Sequence, residues 1–146
     1  MLILLDIDGV MIPATSWKKP EFMEDGFPAF NIKATKALQR IIDETNASIV
    51  LTTSHKAKYS VLQWKEMFNS RGVNPKDIQR LGTNSLEVSR KDAILDWYNT
   101  NDNYEEKFVI IDDDKFLNSL PANLKVNFIL TSSSVGLTDD LASEAI

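Results

Sequence analysis

The 146-residue chain has no cysteine, a single histidine and only five glycines. Without cysteine there is no disulfide framework, no thiolate nucleophile and no all-sulfur zinc site. Gly9, Gly26, Gly72, Gly82 and Gly136 stand too far apart to form G-x-G-x-x-G or G-x-x-x-x-G-K-[ST], which sets aside dinucleotide-binding and P-loop chemistry. Positive charge is also scarce: 16 Lys and Arg against 21 Asp and Glu leave a formal net charge of −5. Phosphate contacts along a duplex need a basic footprint, so sequence-independent duplex binding is not expected, although a local pocket can still hold one phosphate. Long apolar runs are missing too. The run Met1–Leu5 is cut by Asp6 and is too short for a membrane span, so a soluble, cytoplasmic protein without a membrane partner is expected. A composition of 43% hydrophobic and 25% charged residues excludes disordered, collagen-like and coiled-coil chains. The length fits one domain over residues 1–146.

What is present is an alternation of apolar β-rich runs with helical periodicity. Strands are predicted at Leu2–Leu5, Ser48–Leu51, Phe108–Ile111 and Val126–Leu130, with a weaker one near Ile78–Gly82. Asn31–Thr45 reads as a helix, because Ala34, Ala37, Leu38, Ile41 and Ile42 share one face of a 3.6-residue period. A second helix is predicted over about Ala57–Arg71, with Val61, Trp64 and Phe68 on one face and Gly72 as its stop. Ser89 to Asp92 has the form of a capping box and opens a third helix through Tyr98. This order belongs to parallel α/β architecture, and the continuously apolar strands suit a sheet covered on both faces. Pro13–Phe30 breaks the rhythm. Its prolines and Gly26 exclude a long helix, while Trp17, Phe22, Met23, Phe27 and Phe30 make it too apolar for a linker, so an ordered flap is expected.

Polar residues gather where the strands end. Asp6-Ile7-Asp8-Gly9 follows the first strand. Alternation puts the two carboxylates on one side, and both stay ionised most easily beside a cation. The alternative is an ordinary Asp- and Gly-rich turn. Thr52-Thr53-Ser54 follows the second strand and offers hydroxyls and free N–H groups to a phosphate, or simply a helix cap. His55 is assigned no role. Arg90 and Lys91 open a helix against its macrodipole, which calls for a nearby anion, unless they are a solvated pair. Asp112-Asp113-Asp114 closes the fourth strand with hard oxygen ligands suited to Mg²⁺, or with a solvated acidic turn. In open α/β sheets ligands bind outside the carboxyl ends of the strands, where all these groups converge.

Leu-Leu-Asp6-Ile-Asp8-Gly9-Val, Ile-Val-Leu-Thr52-Thr53-Ser54, a basic residue at Arg90 or Lys91, and Val-Ile-Ile-Asp112-Asp113 resemble, in order, the four motifs of the haloacid dehalogenase (HAD) superfamily. Within it the chain looks most like the HAD domain of Swiss-army-knife RNA repair proteins, a likeness to which the late Gly136-Leu137-Thr138 also contributes. That group usually shows Trp-Arg where this chain has His55-Lys56.

The resemblance implies a Rossmann-like three-layer sandwich with a five-stranded parallel sheet and no large cap. It implies a Mg²⁺-dependent phosphatase in which Asp6 is the nucleophile and forms an aspartyl-phosphate, while Asp8 acts as acid and then base. Mg²⁺ would sit among Asp6, the backbone carbonyl of Asp8 and Asp112, with Asp113 beside it. Thr52, the Thr53 N–H and Arg90 or Lys91 would hold the phosphoryl oxygens. An open site further implies a bulky phosphorylated substrate such as an RNA or DNA end, or a lid from a partner protein or second copy. Trp17, Phe22, Phe27 and Phe30 would stack on a base or pack the flap onto the core. A phosphotransferase, a non-catalytic phosphate-binding domain and a receiver-type domain are the competing functions. Asp8 speaks against the binding domain, and Thr52 at the end of a middle strand speaks against the receiver.

Overall fold

The computed structural model describes residues 1–14, 21–81, 89–100 and 106–146. Its strands are β1 (Leu2–Leu5), β2 (Ser48–Leu51), β3 (Ile78–Arg80), β4 (Phe108–Asp112) and β5 (Phe128–Leu130). Its helices are α1 (Ile32–Thr45), α2 (Val61–Ser70), α3 (Arg90–Thr100), α4 (Ala122–Lys125) and α5 (Asp139–Ala145), with 3₁₀ turns at Lys56–Lys58 and Lys115–Ser119. All pairings are parallel and the sheet order is β3-β2-β1-β4-β5. The chain therefore winds outward on one side of β1 and then on the other, which makes the gap between β1 and β4 the topological switch point.

Alternation along each strand divides the apolar residues between two layers. Ile3, Leu5, Ile49, Leu51, Val109 and Ile111 pack against α1, α2 and α5. Leu4, Val50 and Ile110 pack on the other face with Ala93, Ile94 and Trp97 of α3 and with Leu117, Leu120 and Leu124. Both faces are dry, as the unbroken apolar strands predict.

Several boundaries differ from the sequence reading. Asn31 is the cap of α1 rather than its first residue, its side chain accepting from the Lys33 and Ala34 amides. The predicted helix over Ala57–Arg71 is two pieces. Ser60 accepts from the Gln63 amide while Gln63 accepts from the Ser60 amide, and this reciprocal box starts α2 afresh at Val61. Val61 is consequently exposed, and Met67 joins Trp64 and Phe68 in the core. Val126 does not begin β5. It caps the short helix α4, its amide bonded to the Ala122 carbonyl, and is 78% exposed. β3 is confirmed at Ile78–Arg80, while Gly82 lies outside the described residues.

Residues 21–30 of the flap fold back onto the domain, and their anchor is Arg71. The Arg71 guanidinium meets both oxygens of Asp25, at 2.6 and 2.9 Å, and donates to the carbonyls of Phe27, Pro28 and Met67. It also lies over the rings of Phe27 and Phe30. Those two aromatics are buried in the core, whereas Phe22 is 63% exposed. Trp17 lies outside the described residues.

Candidate active site

Strand register assembles the site. Leu5 pairs with Leu51 on one side and Ile111 on the other. The next residues, Asp6, Thr52 and Asp112, therefore stand abreast at the carboxyl edge. The Asp6 amide donates to the Ile111 carbonyl and the Thr52 amide to the Leu5 carbonyl, which holds the three in step. All three are buried.

One carboxylate oxygen from each of Asp6, Asp112 and Asp113 lies within 4.8 Å of the others, so three acids are placed to share a cation. Asp113 reaches this position because Gly9 has no side chain. A Cβ on Gly9 would sit 2.1 Å from Asp113 Oδ2, and φ is +80° there. The Gly9 carbonyl is in turn held by the Thr131 hydroxyl at 2.8 Å. Gly136 performs a similar service: a Cβ there would meet the Val10 carbonyl at 2.5 Å. Asp114 stays out of the acidic group. Its amide donates to Asp112 Oδ1, and its own side chain caps the following 3₁₀ turn through the Phe116 amide.

Of the two basic residues offered for the third motif, Arg90 is the one brought against the acids. Its Nη1 lies 3.1 Å from Asp6 Oδ2 and 3.1 Å from Asp112 Oδ1. These two buried carboxylates are the anion that a basic residue at a helix start requires. Lys91 makes no ion pair with the described residues. One guanidinium does not balance the acids. Burial, then the neighbouring Asp112, pushes Asp6 up to about 8 against the pull of Arg90. Burial likewise raises Asp112 to about 6, again opposed by Arg90. Burial by itself would lower Arg90, but Asp112 and Asp6 outweigh it and its pKa is raised. Lys56 is lowered by burial and by the nearby Arg90.

Thr52 Oγ1 is a buried polar atom without a hydrogen-bond partner among the described residues. A buried hydroxyl left unsatisfied costs about 1–3 kcal/mol, so its retention at this edge argues for a ligand oxygen. Thr53 contributes differently. Its hydroxyl accepts from the His55 amide at 3.2 Å, so its side chain shapes the turn. Asp8 is exposed, and its carboxylate lies outside the acidic trio. Instead Asp8 Oδ2 sits 2.7 Å from His55 Nε2. Sequence reasoning missed this contact, as it missed Thr131. Neither leaves a local signal, since each pairing joins loops far apart in the chain.

A family model, described as the HAD domain in Swiss Army Knife RNA repair proteins, matches residues 2–142. The chain belongs to this family. No curated protein and no solved structure matches it. Membership, the five-stranded parallel sheet and the lack of a cap among the described residues agree, and the family suggests a HAD-type hydrolase or phosphatase. No helix of the described residues is long and apolar enough to cross a membrane.

Proposed function

We propose that this HAD domain is a Mg²⁺-dependent phosphomonoester hydrolase that works through an aspartyl-phosphate. The observation that carries the reading is the row of Asp6, Thr52 and Asp112 at the switch point, with Arg90 bridging the two acids and Asp8 one residue beyond Ile7. The donor set fits a hard divalent cation: carboxylate oxygens only, in a group too crowded with negative charge to stay ionised alone. Asp6, Asp112 and the Asp8 carbonyl would hold Mg²⁺, with Asp113 alongside. Bound there, the ion supplies charge neutralisation, letting an anionic nucleophile and an anionic phosphate approach.

The chain's own groups do the rest. Thr52 Oγ1 and the Thr53 N–H receive the phosphoryl oxygens, and Arg90 holds Asp6 in place while offsetting charge. Asp6 attacks phosphorus as Asp8 protonates the departing ester oxygen. Asp8 then takes a proton from the water that hydrolyses the aspartyl-phosphate. The family's description points to RNA repair, and an uncapped edge suits a long substrate. Phosphorylated RNA or DNA ends are therefore the proposed substrates, with exposed Phe22 available to stack on a base. A partner protein or a second copy would complete the cover over the edge.

The test is phosphate release from 5′- and 3′-phosphorylated oligonucleotides and from an aryl phosphate, with Mg²⁺ or EDTA, for the wild type and Asp6→Asn. Turnover that needs Mg²⁺ and vanishes in the folded variant is the expected result. Retained activity in a folded Asp6→Asn protein overturns the covalent mechanism.

A further inference from the structure

We infer that His55 is a positioning residue for Asp8, fixing which oxygen of that carboxyl group meets the substrate; the inference rests on the hydrolase reading above. Asp8 has the one exposed carboxylate among the acids assigned to the chemistry, with 61% of its side chain open to solvent. An exposed Asp side chain turns freely unless something holds it, and proton transfer needs an oxygen at hydrogen-bond distance from the ester. His55 Nε2 lies 2.7 Å from Asp8 Oδ2, which leaves Oδ1 for the substrate.

His55 is built to hold still. Phe27 meets its ring edge-on, with centroids 5.6 Å apart. Phe27 is itself wedged against Tyr59 and Trp64 and lies under the Arg71 guanidinium. The His55 main chain is tied at both ends, its amide to Thr53 Oγ1 and its carbonyl to the Lys58 amide. The flap thus reaches the reaction through a stiff ring stack. Among the described residues, no other side chain bonds Asp8.

The bond serves both halves of the reaction without any change of charge on the imidazole. With a proton on Nε2, His55 donates to Asp8 Oδ2 whether Oδ1 carries its proton or not. In the first half, an Asp6 oxygen bonds to phosphorus, the ester P–O bond breaks, and the proton on Asp8 Oδ1 goes to the leaving oxygen. In the second, water bonds to phosphorus, its proton passes to Asp8 Oδ1, and the Asp6–phosphorus bond breaks to release phosphate. Protonation of the leaving group matters most for a basic alkoxide and least for a nitrophenolate.

The experiment compares kcat and KM for an alkyl phosphomonoester and for p-nitrophenyl phosphate in wild type, His55→Ala, His55→Gln and Asp8→Asn with and without His55→Ala. His55→Ala should lower kcat/KM, which reports the first half of the reaction, by about tenfold or more on the alkyl ester, with a much smaller loss of kcat/KM on p-nitrophenyl phosphate. His55→Gln, whose amide can donate from a similar position, should recover part of that loss, and His55→Ala should add nothing in the Asp8→Asn background. Equal losses of kcat/KM on both esters, or an additive effect on Asp8→Asn, overturns the positioning role. Wild-type protein that turns over neither ester overturns the hydrolase reading itself, whereas active wild type with an indifferent His55→Ala overturns this inference only.

Discussion

Crowding of carboxylates at the switch point makes stability depend on pH in an unusual direction. Asp6 and Asp112 are raised in the folded protein to about 8 and about 6, chiefly by burial, from an ordinary 3.8. Between pH 4 and 8 the native state therefore keeps protons that the unfolded chain has released. Stability must fall as pH rises through that window, by at most about 1.4 kcal/mol per pH unit for each group. From pH 5 to 7 Asp6 contributes over the whole interval and Asp112 over about half of it. The expected loss in metal-free protein is at most about 4 kcal/mol, or roughly 8–16 °C in Tm for a chain of this size. A divalent cation reverses this, since it binds the ionised acids of the native state; a hundredfold excess over Kd adds about 2.7 kcal/mol. The assay is thermal and urea denaturation at pH 5, 6, 7 and 8, with EDTA or saturating Mg²⁺. Asp6→Asn removes the larger titration and should flatten the EDTA curve. A metal-free Tm that holds steady or climbs between pH 5 and 7 would refute the account, as would an unchanged slope in Asp6→Asn. Asp25 acts in the opposite sense outside this window. Arg71 lowers its pKa, so its contribution is present above the ordinary carboxylate range and is lost as pH falls below it.

Two further outcomes follow from single side chains. Thr52→Val keeps the shape but removes the unpartnered hydroxyl, so the ligand-free protein should gain about 1 kcal/mol in urea denaturation while inorganic phosphate inhibits it less well. Arg71→Met strips the flap of its clasp and leaves Asp25 and three carbonyls without their donor. It should cost roughly 3 kcal/mol or more, with a smaller loss for Asp25→Asn in the same denaturation assay.

Elements whose evidence is local were legible in the sequence. β1, β2 and β4 are unbroken apolar runs, and the face of α1 repeats at the helical period. The Asp6, Thr52 and Asp112 endings were equally plain, because each charged or hydroxyl residue sits directly after a buried run. The restart of the chain at Ser60 was less so. Ala57, Lys58 and Tyr59 all tolerate a helix, and only the pairing of Ser60 with Gln63 marks the break. Val126 misled because it is apolar, yet Pro121 starts a helical turn that leaves it outside. Choosing Arg90 over Lys91 needed the fold, since adjacent residues on a helix diverge by about 100° and only one of them can face β1 and β4. Arg71 was invisible for the same reason: a lone Arg past a helix end reads as solvated until the flap closes over it.

The acids also bear on why this sheet forms in one register. In β1, β2 and β4 side chains are buried on both faces, so a slip by one residue would exchange one apolar surface for another, and the usual penalty for misregister is weak. The polar endings supply the missing discrimination. Sliding β1 one step inward would draw Asp6 between Leu51 and Ile111 and away from Arg90, leaving a buried carboxyl group without its partner at a cost of about 1–3 kcal/mol. Sliding it outward would break the Asp6 to Ile111 and Leu5 to Thr52 backbone bonds and separate Gly9 from Thr131. Arg90 ties β1 to β4 through the two carboxylates it bridges, and Thr131 ties the end of β5 back to the turn after β1. The groups assigned to chemistry are thus the ones that align the strands. Neutralising Asp6 with Asn relieves the charge but keeps the side chain's shape and its backbone bond, which is why that substitution isolates the chemistry where a deletion to Ala would disturb both.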